Sequence, residues 1–427
     1  MSANSLRVCF ISRRFFPAVS GMSVYALNLV RELVDCGHDV TMVSQYRNDS
    51  AGAAVYGGGP PPGIEGATVV GRESLGEQRV NEGLPASFEQ DIEDLVATVE
   101  REHRRKPFAL IHAQYGYPCG LAALEASRRL GVPNVVSIQG GDGHWVGTCC
   151  GTHKQAMLAV LGHAGALLIG SRSFAQEVQG HHGTPLEHFT LVPGATDTRR
   201  FRPRDEARLG ALGRPPVLLY HGRVDARKGV MELLDALRLL VREGRRLKLV
   251  VSGIGPDVDA VRARVKGNEL EDLVELTGHA AYEDAPGMYR RGHLFVSPTY
   301  AEGFSNTILE AMATGLPIVS TRAVGVVDCL EDGRDALLVP PRDAHALARA
   351  IARLLDDAAL RERLARAALE EVRELYSWQA VGRRIQGVYE RLVGTAPDTR
   401  WARLYDPGTT VASADPSCRF RSAPHLL

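Results

Sequence analysis

Short apolar segments alternate with amphipathic helical segments along most of this 427-residue chain. In the first half, the apolar segments are residues 6–11, 39–43, 109–112, 135–138 and 166–169. The second half has residues 217–221, 248–252, 274–277, 294–297, 317–320 and 336–339. Strands that are apolar on both faces and separated by helices form parallel sheets covered by helices. The sequence therefore predicts an α/β fold with two Rossmann-like domains.

The boundary between the two series lies in the polar segment RPRDEARLGALGRPP, residues 202–216, which ends in a proline pair before a new apolar strand. We predict an N-terminal domain over residues 1–205 and a C-terminal domain over 214–375. A helix over 376–394 is expected to pack back towards the N-terminal domain. Residues 395–427 contain Pro, Ser and Arg without a sustained period and are predicted to be a tail.

Charge balance and cysteine usage exclude several classes of protein. The 50 Lys and Arg side chains balance 50 Asp and Glu, so no global field attracts nucleic acid or an anionic membrane. The seven cysteines show no CxxC spacing, and a long chain without a disulfide framework is typical of the cytoplasm. The first apolar run is too short for a signal peptide or a membrane span. We expect a cytoplasmic protein without nucleic-acid partners or integral membrane association.

The segment GRVDARKG, residues 222–229, follows a predicted strand and leads into an amphipathic helix. Arg223 and Lys228 place two cations at the helix entrance, where they oppose the helix dipole. This arrangement favours an anion with more than one charge, such as a diphosphate. The alternative interpretation is a solvated basic turn.

The segment AEGFSNTILEAMATG, residues 301–315, carries Glu302 in a loop and Glu310 in a predicted helix. The apolar side chains of this helix form a stripe that faces the sheet, and Glu310 lies off that stripe. Gly303, Phe304 and Ser305 offer backbone N–H groups at the helix start, which favours phosphate. A loop carboxylate can accept sugar hydroxyls and a helical one a ribose diol. The segment therefore predicts a ligand site at the carboxyl ends of parallel strands.

In the first half, Gly21 precedes a helix whose N-terminus can hold an anion. Because the pattern is not GxGxxG, it gives little support to a nicotinamide cofactor, and a simple turn between strand and helix explains it equally well. The segment VVSIQGGDGHWVGTCCGTH, residues 135–153, runs from a strand into a glycine-rich turn with Asp142 and His144. Such a turn suits catalytic or acceptor contacts.

A metal ion is the other interpretation of that segment, through His144, His153, Cys149 and Cys150. Adjacent cysteines rarely ligate one metal ion with good geometry, and no CxxC or HxxxH companion is present. The sequence therefore predicts no metal site, and the cysteines are expected to be small buried residues.

Four segments resemble the motifs of the retaining GT-B glycosyltransferases of family four, in that family's order and spacing. They are LVPGATDTRRF, GRVDARKG, VSGIGP and EGFSNTILEAMATGLPIVST, of which the last carries the E-x7-E signature. The resemblance is strong over residues 217–343 and looser over 7–201. It implies a GT-B architecture, in which two Rossmann-like domains face each other across a cleft, and a hexosyltransferase-type enzyme.

The resemblance also implies roles for individual residues. Arg223 and Lys228 would neutralise the diphosphate of a nucleotide-sugar donor, Glu310 would bind its ribose, and Glu302 would contact the transferred sugar. The catalytic candidates are thus Glu302, Arg223 and Lys228. The family needs no obligatory metal, and no cofactor is expected besides the nucleotide sugar as co-substrate. The predicted donor-binding residues are Gly21, Arg223, Lys228, Gly303, Phe304, Ser305, Asn306 and Glu310.

One departure from the family concerns the acceptor side. Many members have a histidine in an H-G-x-D turn, and the matching position here is Gln139, in SIQGGD. Either His144 substitutes for it or Gln139 serves as a neutral hydrogen-bonding group. Gln139, Asp142 and His144 are therefore the acceptor-side candidates.

The predicted function is transfer of a hexose or N-acetylhexosamine from a nucleoside-diphosphate sugar, such as a UDP-sugar, with retention of configuration. The acceptor is expected to be a hydroxyl of a small polar molecule, such as an aminocyclitol or another intermediate of antibiotic biosynthesis. Two alternatives stay open: a nucleotide-sugar epimerase or phosphorylase of GT-B fold, and a catalytically silent sugar-nucleotide-binding protein. The complete set of Arg223, Lys228, Glu302 and Glu310 argues against the silent protein.

Overall fold

The computed structural model describes residues 5–403 and 418–424. Within these residues, the strands form one seven-stranded and one six-stranded sheet, and every pair of neighbouring strands is parallel. The chain divides into two compact units: the first runs to Pro193 and resumes at Gly382, and the second is Gly194–Val381. The predicted α/β fold with two Rossmann-like domains is confirmed.

The sheet of the first unit has the strand order β3-β2-β1-β4-β5-β6-β7. Its strands are β1 (Arg7–Ser12), β2 (Asp39–Tyr46), β3 (Thr68–Glu73), β4 (Leu110–Gln114), β5 (Asn134–Ile138), β6 (Ala166–Ile169) and β7 (Phe189–Leu191). The order reverses between β1 and β4, which pair directly through Phe10 and His112. In open α/β sheets, ligands bind beyond the carboxyl ends of the strands at such a reversal.

Helices connect these strands. They are α1 (Gly21–Asp35), α2 (Ser50–Tyr56), α3 (Leu75–Gln78), α4 (Phe88–Arg105), α5 (Leu121–Leu130), α6 (Gly141–His144), α7 (Gly151–His163) and α8 (Arg172–His182), with short 3-10 helices at Arg79–Glu82 and Leu186–His188 and a π-helical turn at Gly116–Gly120. The N-cap residue of helix α1 is Ser20, whose hydroxyl accepts a hydrogen bond from the backbone N–H of Ser23. Its apolar face, which includes Leu29 and Leu33, is fully buried.

The sheet of the second unit has the order β10-β9-β8-β11-β12-β13. Its strands are β8 (Val217–His221), β9 (Lys248–Ser252), β10 (Val274–Gly278), β11 (Leu294–Ser297), β12 (Ile318–Thr321) and β13 (Leu337–Val339). Here the strand order reverses between β8 and β11.

The helices of the second unit are α9 (Val230–Arg242), α10 (Val258–Gly267), α11 (Ala285–Tyr289), α12 (Asn306–Thr314), α13 (Ala344–Asp356) and α14 (Ala358–Leu375), with 3-10 turns at Glu206–Arg208 and Ala226–Lys228. Leu233, Leu237 and Leu240 of α9 are fully buried in the core of this unit. Burial of each side chain stabilises the folded state by about 1.5–3 kcal/mol. This burial holds α9, the helix that follows the GRVDARKG loop, against the core of the unit.

Helix α15 (Trp378–Leu392) contains the junction at which the chain returns to the first unit. There Tyr389 contacts the buried His112, with 2.6 Å between the tyrosine oxygen and Nδ1. A 3-10 turn, Arg400–Arg403, and a short helix, α16 (Arg419–Ser422), follow. Much of the predicted tail, 395–427, lies outside the described residues, but Cys418 and Phe420 are buried in the first unit. Among the described helices, none is both long and apolar enough to cross a membrane.

Candidate functional site

Two loops of the second unit lie side by side because the strands before them are neighbours. Strand β8 ends at His221 and leads into the GRVDARKG loop, while β11 ends at Ser297 and leads into the loop that carries Glu302. The two strands pair directly, with Leu218 opposite Leu294. Both loops therefore leave the sheet at its reversal of strand order, where open α/β sheets bind ligands.

Backbone contacts join the two loops. The N–H of Tyr300 donates to the carbonyl oxygen of Arg227 at 2.9 Å. Gly229 has a φ of 71°, and a Cβ atom at this position would overlap the carbonyl oxygen of Pro298. Only glycine combines this conformation with this close approach. Gly229 therefore fixes the position of Lys228 relative to the neighbouring loop.

Lys228 and Glu302 form an ion pair, with 2.8 Å between Nζ and Oε1. The same ammonium group lies 3.4 Å from the carbonyl oxygen of Ala301. Both side chains stay partly exposed, at 28% for Lys228 and 18% for Glu302, so a ligand can reach them. The structure thus brings together two of the three residues predicted to be catalytic.

Arg223, the third of these residues, lies in the same loop as Lys228. Its Nε is 3.4 Å from Oδ2 of Asp225, which also accepts a 2.6 Å hydrogen bond from Arg227. Burial opposes ionisation of Asp225, but the hydrogen bonds from Arg227 and the charge of Arg223 outweigh it and lower its pKa to about 2. Asp225 is therefore anionic at neutral pH and orients the basic side chains of this loop.

Helix α12 starts directly after three of the predicted donor-binding residues, Gly303, Phe304 and Ser305, and contains two more, Asn306 and Glu310. Its N-cap residue, Ser305, makes no side-chain capping hydrogen bond to the first turn. The ring of Phe304 packs on Tyr376 at 5.5 Å between centroids. Gly194 lies against both Phe304 and the side chain of Asn306, where a Cβ would come within 2.8 Å of the ring. The start of α12 is thus held rigidly, and its N-terminal N–H groups favour an anion.

Glu310 lies inside α12 and is buried. Its Oε2 accepts a hydrogen bond of 2.7 Å from the hydroxyl of Tyr289. Burial disfavours the carboxylate and raises the pKa of Glu310 to about 7, in spite of the hydrogen bond from Tyr289. Carboxyl groups with a strongly shifted pKa are common among functional residues at ligand sites.

In the first unit, Gln139 is linked to the reversal of strand order between β1 and β4. Its Oε1 accepts from Nε2 of Gln114 at 2.8 Å. The side-chain oxygen of Gln114 in turn accepts from the Ser12 hydroxyl at 2.8 Å. We did not predict a role for Gln114 from the sequence, although its position at the carboxyl end of a buried strand was a usable signal.

Gly21 belongs to the same surroundings. It begins α1, and Met22, the next residue, offers its carbonyl oxygen to Nε2 of Gln114 at 3.0 Å. Apart from its chain neighbours and its own helix backbone, no atom of the described residues lies within 4 Å of the point where a Cβ of Gly21 would sit. The backbone at Gly21 therefore borders open space near the strand ends of the first unit.

Asp142 organises the turn after β5. Its carboxylate accepts hydrogen bonds from the backbone N–H groups of Gly116 at 2.8 Å, Gly140 at 2.8 Å and Gln139 at 3.1 Å. Burial raises its pKa, although these backbone hydrogen bonds act in the opposite direction. Its oxygens are occupied by the backbone, which suits a residue that positions Gln139.

His144 is held by a different part of the unit. Its Nδ1 lies 2.7 Å from Oε1 of Glu177 on α8, and its ring packs on Phe174 at 4.5 Å. The structure thus ties His144 to α8, while Gln139 is hydrogen-bonded to the strand ends. Of the three acceptor-side candidates, Gln139 has the position that best suits contact with a substrate.

Comparison with protein families and curated proteins gives consistent results. A model described as "Glycosyl transferase 4-like domain" matches residues 20–195, and one described as "Glycosyl transferases group 1" matches residues 215–357. The D-inositol 3-phosphate glycosyltransferase of Arthrobacter sp. (strain FB24) is 28% identical over 403 residues, covering 87% of this chain and 92% of that protein. The alpha-D-kanosaminyltransferase of Streptomyces kanamyceticus is 36% identical over 197 residues, or 46% of this chain and 50% of that protein.

Solved structures share the fold over nearly the whole chain. Sucrose-phosphate synthase from Thermosynechococcus elongatus superposes with a TM-score of 0.75 at 22% identity, covering 91% of this chain and 99% of that one. Anabaena HepE in complex with UDP and glucose superposes with a TM-score of 0.70 at 17% identity, covering 91% and 100%. At these identities, the superpositions establish the fold.

Proposed function

Because this chain belongs to the GT-B glycosyltransferases of the family-four type, we propose that it transfers a hexose or N-acetylhexosamine from a UDP-sugar, with retention of configuration. The acceptor is a hydroxyl of a small polar molecule. The observation that carries this proposal is the Lys228–Glu302 pair, 2.8 Å apart and partly exposed at the reversal of strand order.

The donor would lie along the loops after β8 and β11. Lys228 and Arg223 supply positive charge for the diphosphate, and the N-terminus of α12 adds oriented N–H groups. Glu310 would accept hydrogen bonds from both hydroxyls of the ribose, and Glu302 would contact the sugar that is transferred. This division gives each charged side chain one part of the donor to hold.

The chemistry requires cleavage of the bond between the sugar carbon and the diphosphate oxygen. Negative charge grows on the leaving diphosphate in the transition state, and preorganised cations aimed at it lower the barrier. Glu302 is held in an ion pair with Lys228, so we do not assign it as a nucleophile. The acceptor hydroxyl would attack from the face that the diphosphate leaves, and a phosphate oxygen would take its proton. No metal or other cofactor enters this scheme.

An aminocyclitol, or a related intermediate of antibiotic biosynthesis, is the acceptor class that we propose. The Arthrobacter relative is named for D-inositol 3-phosphate, a cyclitol, and the Streptomyces relative is named a kanosaminyltransferase. This chain spans about half of the Streptomyces protein, so the similarity supports a chemical class of acceptor and not an individual compound. In the first unit, Gln139 is a neutral group that can hydrogen-bond a cyclitol hydroxyl or amine.

The test is incubation of the full chain with UDP-sugars and a panel of cyclitols and aminocyclitols, followed by mass spectrometry. We expect a product heavier than the acceptor by one sugar residue, and an anomeric coupling in its NMR spectrum that matches the donor. A product of inverted configuration would contradict the retaining mechanism. Formation of an epimerised UDP-sugar or a free sugar phosphate in place of a glycoside would contradict the proposed function.

A further inference from the structure

Four potential metal ligands converge in the first unit. They are Cys149, Cys150, His153 and Cys418, and their ligand atoms all lie within 4.8 Å of one another. Three come from one short segment, whereas Cys418 lies 265 residues after His153. The sequence predicted no metal site here, because adjacent cysteines rarely ligate one ion and no CxxC or HxxxH companion is present, but the fold adds Cys418 to the set.

The start of helix α7 arranges the three local ligands. Cys150 is the N-cap residue of this helix, and its side chain makes no capping hydrogen bond. His153 lies three residues later, in the first turn, where residues at this spacing share a face. Gly147 has a φ of 87°, which turns the chain shortly before Cys149. The backbone therefore directs three ligand side chains to one point.

The distances match the edges of a tetrahedral zinc site. Zn–S bonds of about 2.3 Å and Zn–N bonds of about 2.0 Å imply S···S edges of about 3.8 Å and S···N edges of about 3.5 Å. The sulfur atoms of Cys149 and Cys150 are 3.9 Å apart. Nδ1 of His153 lies 3.1 Å from the sulfur of Cys149 and 3.5 Å from that of Cys418. Adjacent cysteines can thus reach one ion in this backbone.

The surroundings suit a closed structural site. The ring of His153 is fully buried and lies among Tyr117 at 4.7 Å, Phe88 at 5.8 Å and Phe420 at 6.0 Å between centroids. Four protein ligands fill a tetrahedron, so no position stays open for a substrate or water.

Other contacts bring the segment that carries Cys418 to this place. Arg421 forms a buried ion pair with Glu89, at 2.5 Å between Nη2 and Oε1. Its carbonyl oxygen accepts from the N–H of Ala86 at 2.8 Å. Phe420 is buried beside His153. The fourth ligand is therefore positioned by packing and hydrogen bonds that are independent of a metal.

We propose that Cys149, Cys150, His153 and Cys418 bind one structural Zn²⁺ ion that fastens the segment 418–424 to the first unit. Sulfur-rich tetrahedral sites of this kind select zinc among the common divalent ions. The proposal does not depend on the proposed glycosyl transfer, because none of the four residues belongs to the donor or acceptor sites.

The test measures metal content in the full chain, purified under reducing conditions without chelator. We expect one zinc per chain in the wild type and in Cys36→Ser, a matched control whose thiol lies elsewhere in the same unit and contacts Glu32. Cys418→Ser and Cys150→Ser should lose most of this zinc. Co²⁺ added to the metal-free wild type should give thiolate charge-transfer bands and intense tetrahedral d–d bands, and Cys418→Ser should give neither.

Thermal unfolding supplies a second readout, since a bound ion stabilises only the folded state. A chelator should lower the Tm of the wild type and of Cys36→Ser, but hardly change that of Cys418→Ser. The proposal is overturned if the folded wild type, with its thiols reduced, takes up neither Zn²⁺ nor Co²⁺. A disulfide between Cys418 and Cys149 or Cys150 in the freshly purified protein, found by mass spectrometry, would also overturn it.

Discussion

The ammonium group of Lys228 and the carboxylate of Glu302 lie 2.8 Å apart. The same ammonium group approaches the carbonyl oxygen of Ala301, which lies 73 positions later in the chain. The pair joins the loop after β8 to the loop after β11. Because both side chains are partly exposed, the pair contributes little to stability, about 0–1 kcal/mol. The main effect of the ion pair is therefore to position two charged groups at the ligand site.

The first prediction concerns this pair. Lys228→Ala and Glu302→Ala should each lower the rate of sugar transfer by about 100-fold or more, because each removes a charged group that acts in the transition state. The measurement is the initial rate at saturating donor with the acceptor found by the panel. Lys266→Ala, which removes an exposed lysine from α10, should retain the wild-type rate. Wild-type turnover in both Lys228→Ala and Glu302→Ala would contradict the site.

The second prediction follows from the raised pKa of Glu310. The carboxyl group of Glu310 binds its proton more tightly in the folded state than in the unfolded chain, where its pKa is near 4.5. Protonation of Glu310 therefore stabilises the folded state, and this contribution to the free energy of unfolding is complete below pH 4.5. It is lost as the pH rises to about 7. Glu310→Gln cannot ionise, and its Tm relative to wild type should therefore rise over this interval. A constant difference in Tm across the interval would show that the pKa is not raised.

Protonation of Glu310 stabilises the folded state but should weaken the binding of UDP, because only the carboxylate form accepts hydrogen bonds from both ribose hydroxyls. We expect the affinity of the wild type for UDP to fall as the pH drops below about 7. The terminal phosphate of UDP also titrates, near pH 6. Glu310→Gln separates the two effects, since it should bind about tenfold more weakly and keep only the pH dependence of the phosphate.

The third prediction distinguishes Gln139 from His144. Gln139→Ala should lower the transfer rate by about tenfold or more and leave UDP binding unchanged, because Gln139 is assigned to the acceptor. His144→Ala should lower the Tm through loss of its contacts with Glu177 and Phe174, and affect transfer less. Gln179→Ala, an exposed glutamine on α8, is the control for both. A larger loss of transfer in His144→Ala than in Gln139→Ala would reverse the assignment.

The fourth prediction concerns Gly229. Gly244 has a φ of 82°, and no described residue beyond its chain neighbours would touch a methyl group there, so Gly244→Ala should cost about 1–2 kcal/mol from the backbone conformation alone. Gly229→Ala has a similar φ of 71° but adds an overlap with the carbonyl of Pro298. It should therefore lower the urea midpoint more than Gly244→Ala and also weaken UDP binding. Equal midpoints would mean that the two loops are not held together at this glycine.

The parts of the fold that the sequence predicted are those with a strong local pattern. The apolar runs before residues 222 and 298 gave β8 and β11, and neighbouring strands then placed Lys228 and Glu302 together. Strands β3 and β7 were missed. The first, TVVGRE, lies at the sheet edge and carries charged residues, and the second has only three residues. Short edge strands lack the continuous apolar run that marks a buried strand.

The relationships that escaped prediction join residues far apart in the chain. Gln114 supports Gln139 through a side-chain hydrogen bond, which no spacing in the sequence announces. Cys418 lies in a stretch without periodicity, and only the packing of Phe420 and Arg421 brings it to His153. The raised pKa of Glu310 likewise depends on burial, which the helical pattern did not indicate.

Calorimetric titration of UDP shows whether the second unit holds a nucleotide-sugar donor through Lys228 and its neighbours. We expect saturable binding of one UDP per chain, at least tenfold weaker in Lys228→Ala and unchanged in Lys266→Ala. Binding of UDP to Lys228→Ala as tight as to the wild type would contradict it.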